Sequence, residues 1–178
     1  MRPCEIERVL ESVTILIDTR EQDTERSRRR AKALGAPVSR AVLDYGDYAM
    51  QATLPDGTKI YDESQRIQPT CAVERKMHLD ELAECFTRGR ARFEREMIRA
   101  REAGASLWLI TENASWEALL NGRYRSKLPA KSLLASVVAW AHRYNLHVVF
   151  CDEYSTPLMI REILYRDLKE HLVNGAYG

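Results

Sequence analysis

With 178 residues the chain has the length of one ordinary domain, enough to bury a sizeable core. Apolar residues make up 45% and charged residues 30%, a globular balance that excludes a disordered or low-complexity chain. The formal net charge of +1 excludes bulk cationic coating of nucleic acid, so any such contact must come from local clusters.

Residues 2–11 are polar with a weak helical period, and residues 13–17 make a short apolar strand running into Asp18-Thr19-Arg20-Glu21. Asp23 or Thr24 then caps a helix that reaches Leu34 and is closed by Gly35. Residues 41–52 read as a strand interrupted near Asp44-Tyr45-Gly46, and Pro55-Asp56-Gly57 is a hairpin-turn signal leading to Lys59-Ile60-Tyr61. Residues 62–69 are loop, residues 70–76 strand. A long helix over residues 78–102 carries Leu79, Leu82, Ala83, Phe86, Phe93, Met97 and Ala100 on one stripe, kinked at Gly89. Strand 106–111, a short helix at 116–120, helix 131–144, strand 147–151 and a closing helix at 156–172 with Pro157 in its first turn complete the series. The order β-α-β-β-β-α-β-α-β-α predicts an α/β fold with a mixed sheet flanked by helices.

Cys4, Cys71, Cys85 and Cys151 lack metal-ligand spacing and read as buried thiols of a reducing compartment, not a zinc site. No long apolar run suggests secretion or membrane spanning, so the expected location is the cytoplasm, nucleoid-associated in a bacterium or phage. His78 is expected at a helix start, and His142, His147 and the three tryptophans are expected to be structural.

The chemistry concentrates around Glu74. Cys71, Ala72 and Val73 are β-favouring, so Glu74 and Lys76 fall at i and i+2 of one strand and share a face. An acid and a lysine side by side call for compensation, which a divalent cation supplies. Asp47, after Gly46, and Glu74 offer hard oxygen ligands suited to Mg²⁺, which keeps several waters and is shared with phosphate. Mn²⁺ is the expected substitute. Lys76 is then the candidate to orient or activate a water for in-line attack on phosphorus. By itself Glu74-Arg75-Lys76 reads as a solvated edge strand; Gly46-Asp47 and Asp18 turn the reading toward a nuclease centre.

Gly46-Asp47, a gap, Glu74-Arg75-Lys76 and then Asp80 together resemble the nuclease domain of the XPF-type structure-selective DNA endonucleases, within the PD-(D/E)xK group. The opening strand with Asp18-Thr19-Arg20-Glu21, Arg92-Phe93 on the helix after the motif, and Trp108-Leu109-Ile110-Thr111-Glu112 extend the resemblance over much of the chain. It implies a restriction-endonuclease-like mixed central sheet flanked by helices. It also implies a Mg²⁺-dependent DNA endonuclease that hydrolyses phosphodiester bonds at flaps, junctions or other branched DNA in repair or recombination. Position by position, it implies metal binding by Asp47 and Glu74 with Asp18 and Glu21 as further acids, and Arg20, Arg75, Lys76 and Asp80 completing the catalytic set. Glu96 departs from the pattern, standing where the family more often carries Gln. No helicase-like region or tandem helix-hairpin-helix is present in the sequence, so residues 1–178 are expected to be a single stand-alone nuclease domain.

Two alternatives stay open: a non-catalytic DNA-binding or dimerisation subunit, and another PD-(D/E)xK nuclease such as a restriction enzyme or exonuclease. The presence of Asp18, Asp47, Glu74, Lys76 and Asp80 together argues for activity.

DNA contacts are expected from Arg88, Arg92, Arg95 and Arg99, which share one face of a continuous helix, with Arg92 the foremost phosphate contact. The bland alternative is a solvated face balanced by Glu94, Glu96 and Glu102. Arg26, Arg28, Arg29, Arg30 and Lys32 form a second basic cluster on the first capped helix. Arg123, Tyr124 and Arg125 are either a clamp for an unpaired base or an ordinary surface loop. A second subunit, the same chain or a different one, is expected on the C-terminal helices, where Leu133, Leu134, Val137, Val138 and Trp140 with Ile160, Ile163 and Leu164 form either a dimer face or monomer core.

Overall fold

The computed structural model describes residues 1–177. Its spine is Thr14–Asp18 (β1), where Ile15 and Leu16 are fully buried. Val38–Ala41 (β2) pairs with it in parallel and Tyr48–Gln51 (β3) antiparallel. A parallel neighbour needs a crossover, supplied by the helix Glu25–Ala33 (α2) after Pro3–Glu11 (α1). The Oγ1 of Thr24 caps α2 by accepting the N–H of Ser27 at 3.1 Å. The sheet continues with Cys71–Lys76 (β4), Ser106–Glu112 (β5) and Leu146–Cys151 (β6), giving the order β2-β1-β3-β4-β5-β6. β3 pairs antiparallel with β4, and β4, β5 and β6 run parallel.

Leu79–Cys85 (α3), Arg90–Glu102 (α4), Trp116–Leu120 (α5), Ala130–Tyr144 (α6) and Thr156–Val173 (α7) complete the elements. Side-chain alternation divides the core. Ala72, Leu107 and Leu109 face α3, α4 and α6 in a cluster built on Phe86, Phe93 and Trp140, whereas Cys71, Val73 and Ile110 face α1, α2 and α7. Phe93 stacks on Trp140 at 5.5 Å between ring centres and Phe86 meets it edge-on at 4.8 Å.

The restriction-endonuclease-like mixed sheet holds, with three local corrections. Of the stretch expected as one interrupted strand over 41–52 only Tyr48–Gln51 is a strand within it; the preceding strand lies earlier, at Val38–Ala41, a half-exposed edge strand whose pattern carries no apolar alternation. Lys59-Ile60-Tyr61 makes only an isolated bridge, Thr53 to Lys59, beyond the expected hairpin turn. The long helix over 78–102 is broken into α3 and α4. Gly89 donates its N–H to the Glu84 carbonyl at 2.9 Å, and a Cβ there would lie 3.1 Å from that oxygen, so the chain turns sharply at this residue. Among the described residues no helix is long and apolar enough to cross a membrane.

Register decides where the chemistry gathers. Ile17 pairs with Tyr48, Tyr48 with Val73, and Lys76 with Thr111, so the C-terminal ends of β1, β4 and β5 and the N-terminal end of β3 lie together at one end of the sheet. Asp18, Asp47, Glu74, Arg75, Lys76 and Glu112 all arrive there.

Candidate active site

A cleft of about 730 Å³ opens at this sheet end, lined among others by Asp47, Glu74, Lys76, Arg92 and Glu96. Gly46 makes its floor possible. It has φ +74°, and a Cβ would sit 2.7 Å from the Cβ of Ala72, so only glycine lets the turn press against β4. Asp47 is then tied to both neighbouring strands: its N–H donates to the Val73 carbonyl at 2.8 Å, its carbonyl accepts from Asp18 N–H at 2.9 Å, and its Oδ2 accepts the N–H of Arg75 at 2.8 Å.

Glu74 and Lys76 share a face as expected and are paired through Glu74 Oε1 and Lys76 Nζ, with the ammonium 5.3 Å from the ring centre of Phe93. Both are buried. Burial and the charge of Glu74 push the Asp47 carboxyl well above its ordinary range. Burial acts against the Lys76 ammonium, but the neighbouring Glu74 outweighs it and holds that pKa well above normal, so Lys76 is a cation at neutral pH.

Arg75 points to the opposite face of the sheet, where it, Glu21 and Arg30 still border the cleft at the sheet end. Its guanidinium donates to Glu21 at 3.1 Å and Glu112 at 3.3 Å, and Arg30 of α2 donates to the same two carboxylates at 3.2 Å each. Two arginines and two glutamates thus close a buried lattice to which Tyr48 Oη adds an acceptor for Arg30 at 3.2 Å. Glu112 and Arg30 were not singled out as site residues in the sequence; their signal, an acid ending a core strand and an arginine within a basic helix, is unspecific.

Two further acids are placed elsewhere. Asp18 is fully buried, and its carboxylate accepts from the N–H, Nε and Nη2 of Arg20 at 2.7, 2.7 and 3.1 Å and from Leu43 N–H at 2.8 Å, so it organises the turn and does not line the cleft. Asp80 accepts from the backbone N–H groups of Arg125 and Ser126 at 2.6 and 2.8 Å, fastening the 123–128 loop to α3. His78 caps α3, its Nδ1 accepting Glu81 N–H at 3.2 Å.

Glu96 is the acid the motif did not contain. Its Oε1 accepts Gly46 N–H at 3.0 Å, and burial together with the charge of Glu74 pushes its carboxyl up to about 7. Arg99, one turn on, donates Nε and Nη2 to the Asp44 carbonyl at 3.1 and 2.8 Å, so α4 is stitched to the Gly46 turn from both sides. The helical i, i+4, i+7 spacing of Arg92, Glu96 and Arg99 was the available signal.

The expected arginine stripe is split by the break at Gly89. Arg92, Arg95 and Arg99 line the cleft, while Arg88 pairs with Glu84 at 3.0 Å and lines a second groove with Arg125 and Lys127. Arg123 pairs with Glu117 at 3.1 Å. Tyr124 is half-buried and donates its hydroxyl to the Leu128 carbonyl at 2.8 Å, which holds the ring within the loop and not out for a base. Of the C-terminal apolar stripe, Leu133, Val137, Trp140, Ile160, Ile163 and Leu164 are buried as monomer core, and Val138 is 43% exposed. All four cysteines are free; Cys4 is exposed, contrary to expectation.

Fold and cleft together define a mixed-sheet domain of the restriction-endonuclease-like class. A family model described as the ERCC4 domain matches residues 17–157, and the chain belongs to that family of nuclease domains, which also includes inactive members and whose nucleases generally depend on divalent cations. Two structures of XPF from Aeropyrum pernix are similar to it. One matches at 22% identity over 86% of this chain and 61% of the other, with a TM-score of 0.59. The second, solved in complex with DNA, matches at 21% identity over 88% of this chain and 66% of the other, with a TM-score of 0.60. The chain therefore spans less than two thirds of the length of either XPF chain. No curated protein matches it.

Proposed function

We propose that this chain is a Mg²⁺-dependent DNA endonuclease acting at branched or partly single-stranded DNA, as in DNA repair. The observation that carries the reading is the convergence of Asp47, Glu74 and Lys76 in one cleft at the sheet end, from segments far apart in sequence. The donor set fits a hard divalent cation. Asp47, half-buried, and Glu74, buried, repel each other in the cleft, and the single ammonium of Lys76 does not neutralise both. Among the described residues no three His, Cys, Asp or Glu side chains stand at metal-ligand spacing, which suits an ion that keeps much of its own water.

Asp47 and Glu74 would hold the cation, which when bound lowers the pKa of water and offsets charge on the phosphoryl group. Lys76, being an ammonium, acts as a hydrogen-bond donor: it orients the attacking water or stabilises negative charge developing on phosphorus, and is not the base as it stands. Arg92 and Arg95, exposed on the cleft wall, are placed to hold the scissile strand by its phosphates. Asp18 and Arg20 shape the turn beside Asp47, while Glu21 and Arg75 brace β4 from behind. Arg88 and Arg125 flank the approach along the second groove, with Arg123, in the adjoining loop, paired to Glu117. A second copy of the chain is proposed on α5 and α6, where Trp116, Leu120 and Val138 stay exposed; sedimentation should show a dimer at micromolar concentration.

The test offers labelled flaps, forks, Holliday junctions, duplex and single strands to the wild type and to Asp47→Ala and Lys76→Ala, with Mg²⁺, Mn²⁺ or a chelator. Cleavage of branched DNA that needs the cation and is lost in both variants is expected. Undiminished cleavage by both would refute these roles.

A further inference from the structure

Glu96 has a structural task that does not require its charge. One oxygen, Oε1, accepts the Gly46 N–H, and a glutamine amide oxygen of the same reach would accept it as well. Among the described residues, its other oxygen makes no hydrogen bond and no arginine or lysine pairs with the side chain. Of the nearby cations, Lys76 is paired with Glu74, Arg20 with Asp18 and Arg99 with Asp44, while Arg92 and Arg95 stand exposed on the cleft wall and do not pair with Glu96. Asp47, Glu74 and Glu96 all line one cleft against the one buried ammonium of Lys76. With all three acids ionised, these four groups sum to −2, the complement of one divalent ion. A carboxylate retained in such a place costs stability unless something positive meets it.

Resting on the metal-dependent reading above, we propose that Glu96 is a third carboxylate of the cation site, and that its negative charge, not its bond to Gly46, sets how tightly the cleft takes up a divalent ion. The oxygen not used by Gly46 is the one offered to the ion's waters, since among the described residues no three acids stand at direct metal-ligand spacing. Hard-cation affinity rises with the number of ligand charges, so this chain should hold the ion more tightly than the same cleft with an uncharged amide.

The experiment titrates Mn²⁺ into wild type, Glu96→Gln, Glu96→Ala and Asp47→Asn without DNA, following bound ion by paramagnetic resonance and the thermal midpoint in parallel. Glu96→Gln should weaken Mn²⁺ binding by about tenfold or more. Its midpoint without metal should equal or exceed that of wild type, because the Gly46 bond is kept and a repulsion is removed. Glu96→Ala should lose both the ion affinity and the metal-free stability. Mn²⁺ affinity in Glu96→Gln within twofold of wild type, with Asp47→Asn clearly weakened, would overturn this proposal and leave the general reading standing. A wild-type protein that takes up no Mn²⁺ would overturn both.

Discussion

The two sides of β4 carry opposite electrostatic designs within six residues. Behind the sheet, Arg75 joins Arg30, Glu21 and Glu112 in a lattice of paired charges, with Arg26 also reaching Glu112 at 3.3 Å and, among the described residues, the Arg75 Nε left without a partner. In front, Glu74 and Lys76 share a cleft with Asp47 and Glu96, three acids around one ammonium, with Arg92 and Arg95 exposed on the wall. Alternation along one strand produces both. A balanced buried network braces a structure, whereas an unbalanced one reserves a place for a ligand of opposite charge.

The contrast is broken most sharply by one substitution on each side. Asp47→Asn should reduce cleavage by about 10²–10³-fold or more while leaving the thermal midpoint unchanged or higher, since the bond to Arg75 N–H can persist and a repulsion is lost. Glu112→Ala should do the reverse: by stranding Arg30 and Arg75 it should cost about 3–5 kcal/mol of folding stability in urea denaturation, with residual activity of the folded fraction close to normal. A Glu112 variant that kept its stability but lost activity would erase the distinction between the two faces.

Asp80 sharpens it at smaller scale. Burial favours its neutral form, but the N–H groups of Ser126 and Arg125 outweigh this and hold its carboxyl below the ordinary range. A depressed carboxyl contributes stability above its unfolded pKa and loses it as pH falls through the folded value. Asp80→Asn should therefore have a lower thermal midpoint than wild type at pH 7, with the two converging in acid. Its cleavage defect should fall on KM for DNA more than on kcat. A complete loss of kcat would instead make Asp80 part of the reacting centre.

The smallest effects separate the divided arginine stripe. Arg95→Ala and Arg88→Ala should each lower the slope of log affinity for DNA against log salt by about 1 if both touch phosphate. Because Arg88 is paired with Glu84 and Arg95 lines the cleft, the Arg95 variant should also lose cleavage.

Much of this was legible before folding. Glu74 and Lys76 were expected on one face because strand alternation is a local rule, and a strand interruption near Gly46 was expected because glycine readily breaks the extended run, although the contact with Ala72 that demands it is tertiary. The capped helices at Thr24 and His78 followed from their own neighbours. The break at Gly89 was less visible, since Leu79, Leu82, Ala83, Phe86 and Phe93 are apolar in either a continuous or a broken helix. The choice between a base clamp and an ordinary surface loop at Arg123 and Tyr124 stayed open because their partners, Glu117 and Leu128, could not be assigned from spacing.

The amino-acid order thus determined the strands, the mixed sheet they make, and the acid and lysine that share a face, because these depend on periodicity and turn chemistry within a few residues. Tertiary structure alone decided which acids look into the cleft. Asp18 and Asp80 are drawn off by backbone N–H donors, and Glu96 is brought in by a helix about fifty residues beyond the glycine it binds. Such assignments rest on which hydrogen-bond partners the closed fold brings within 3 Å or so, a condition no local pattern encodes.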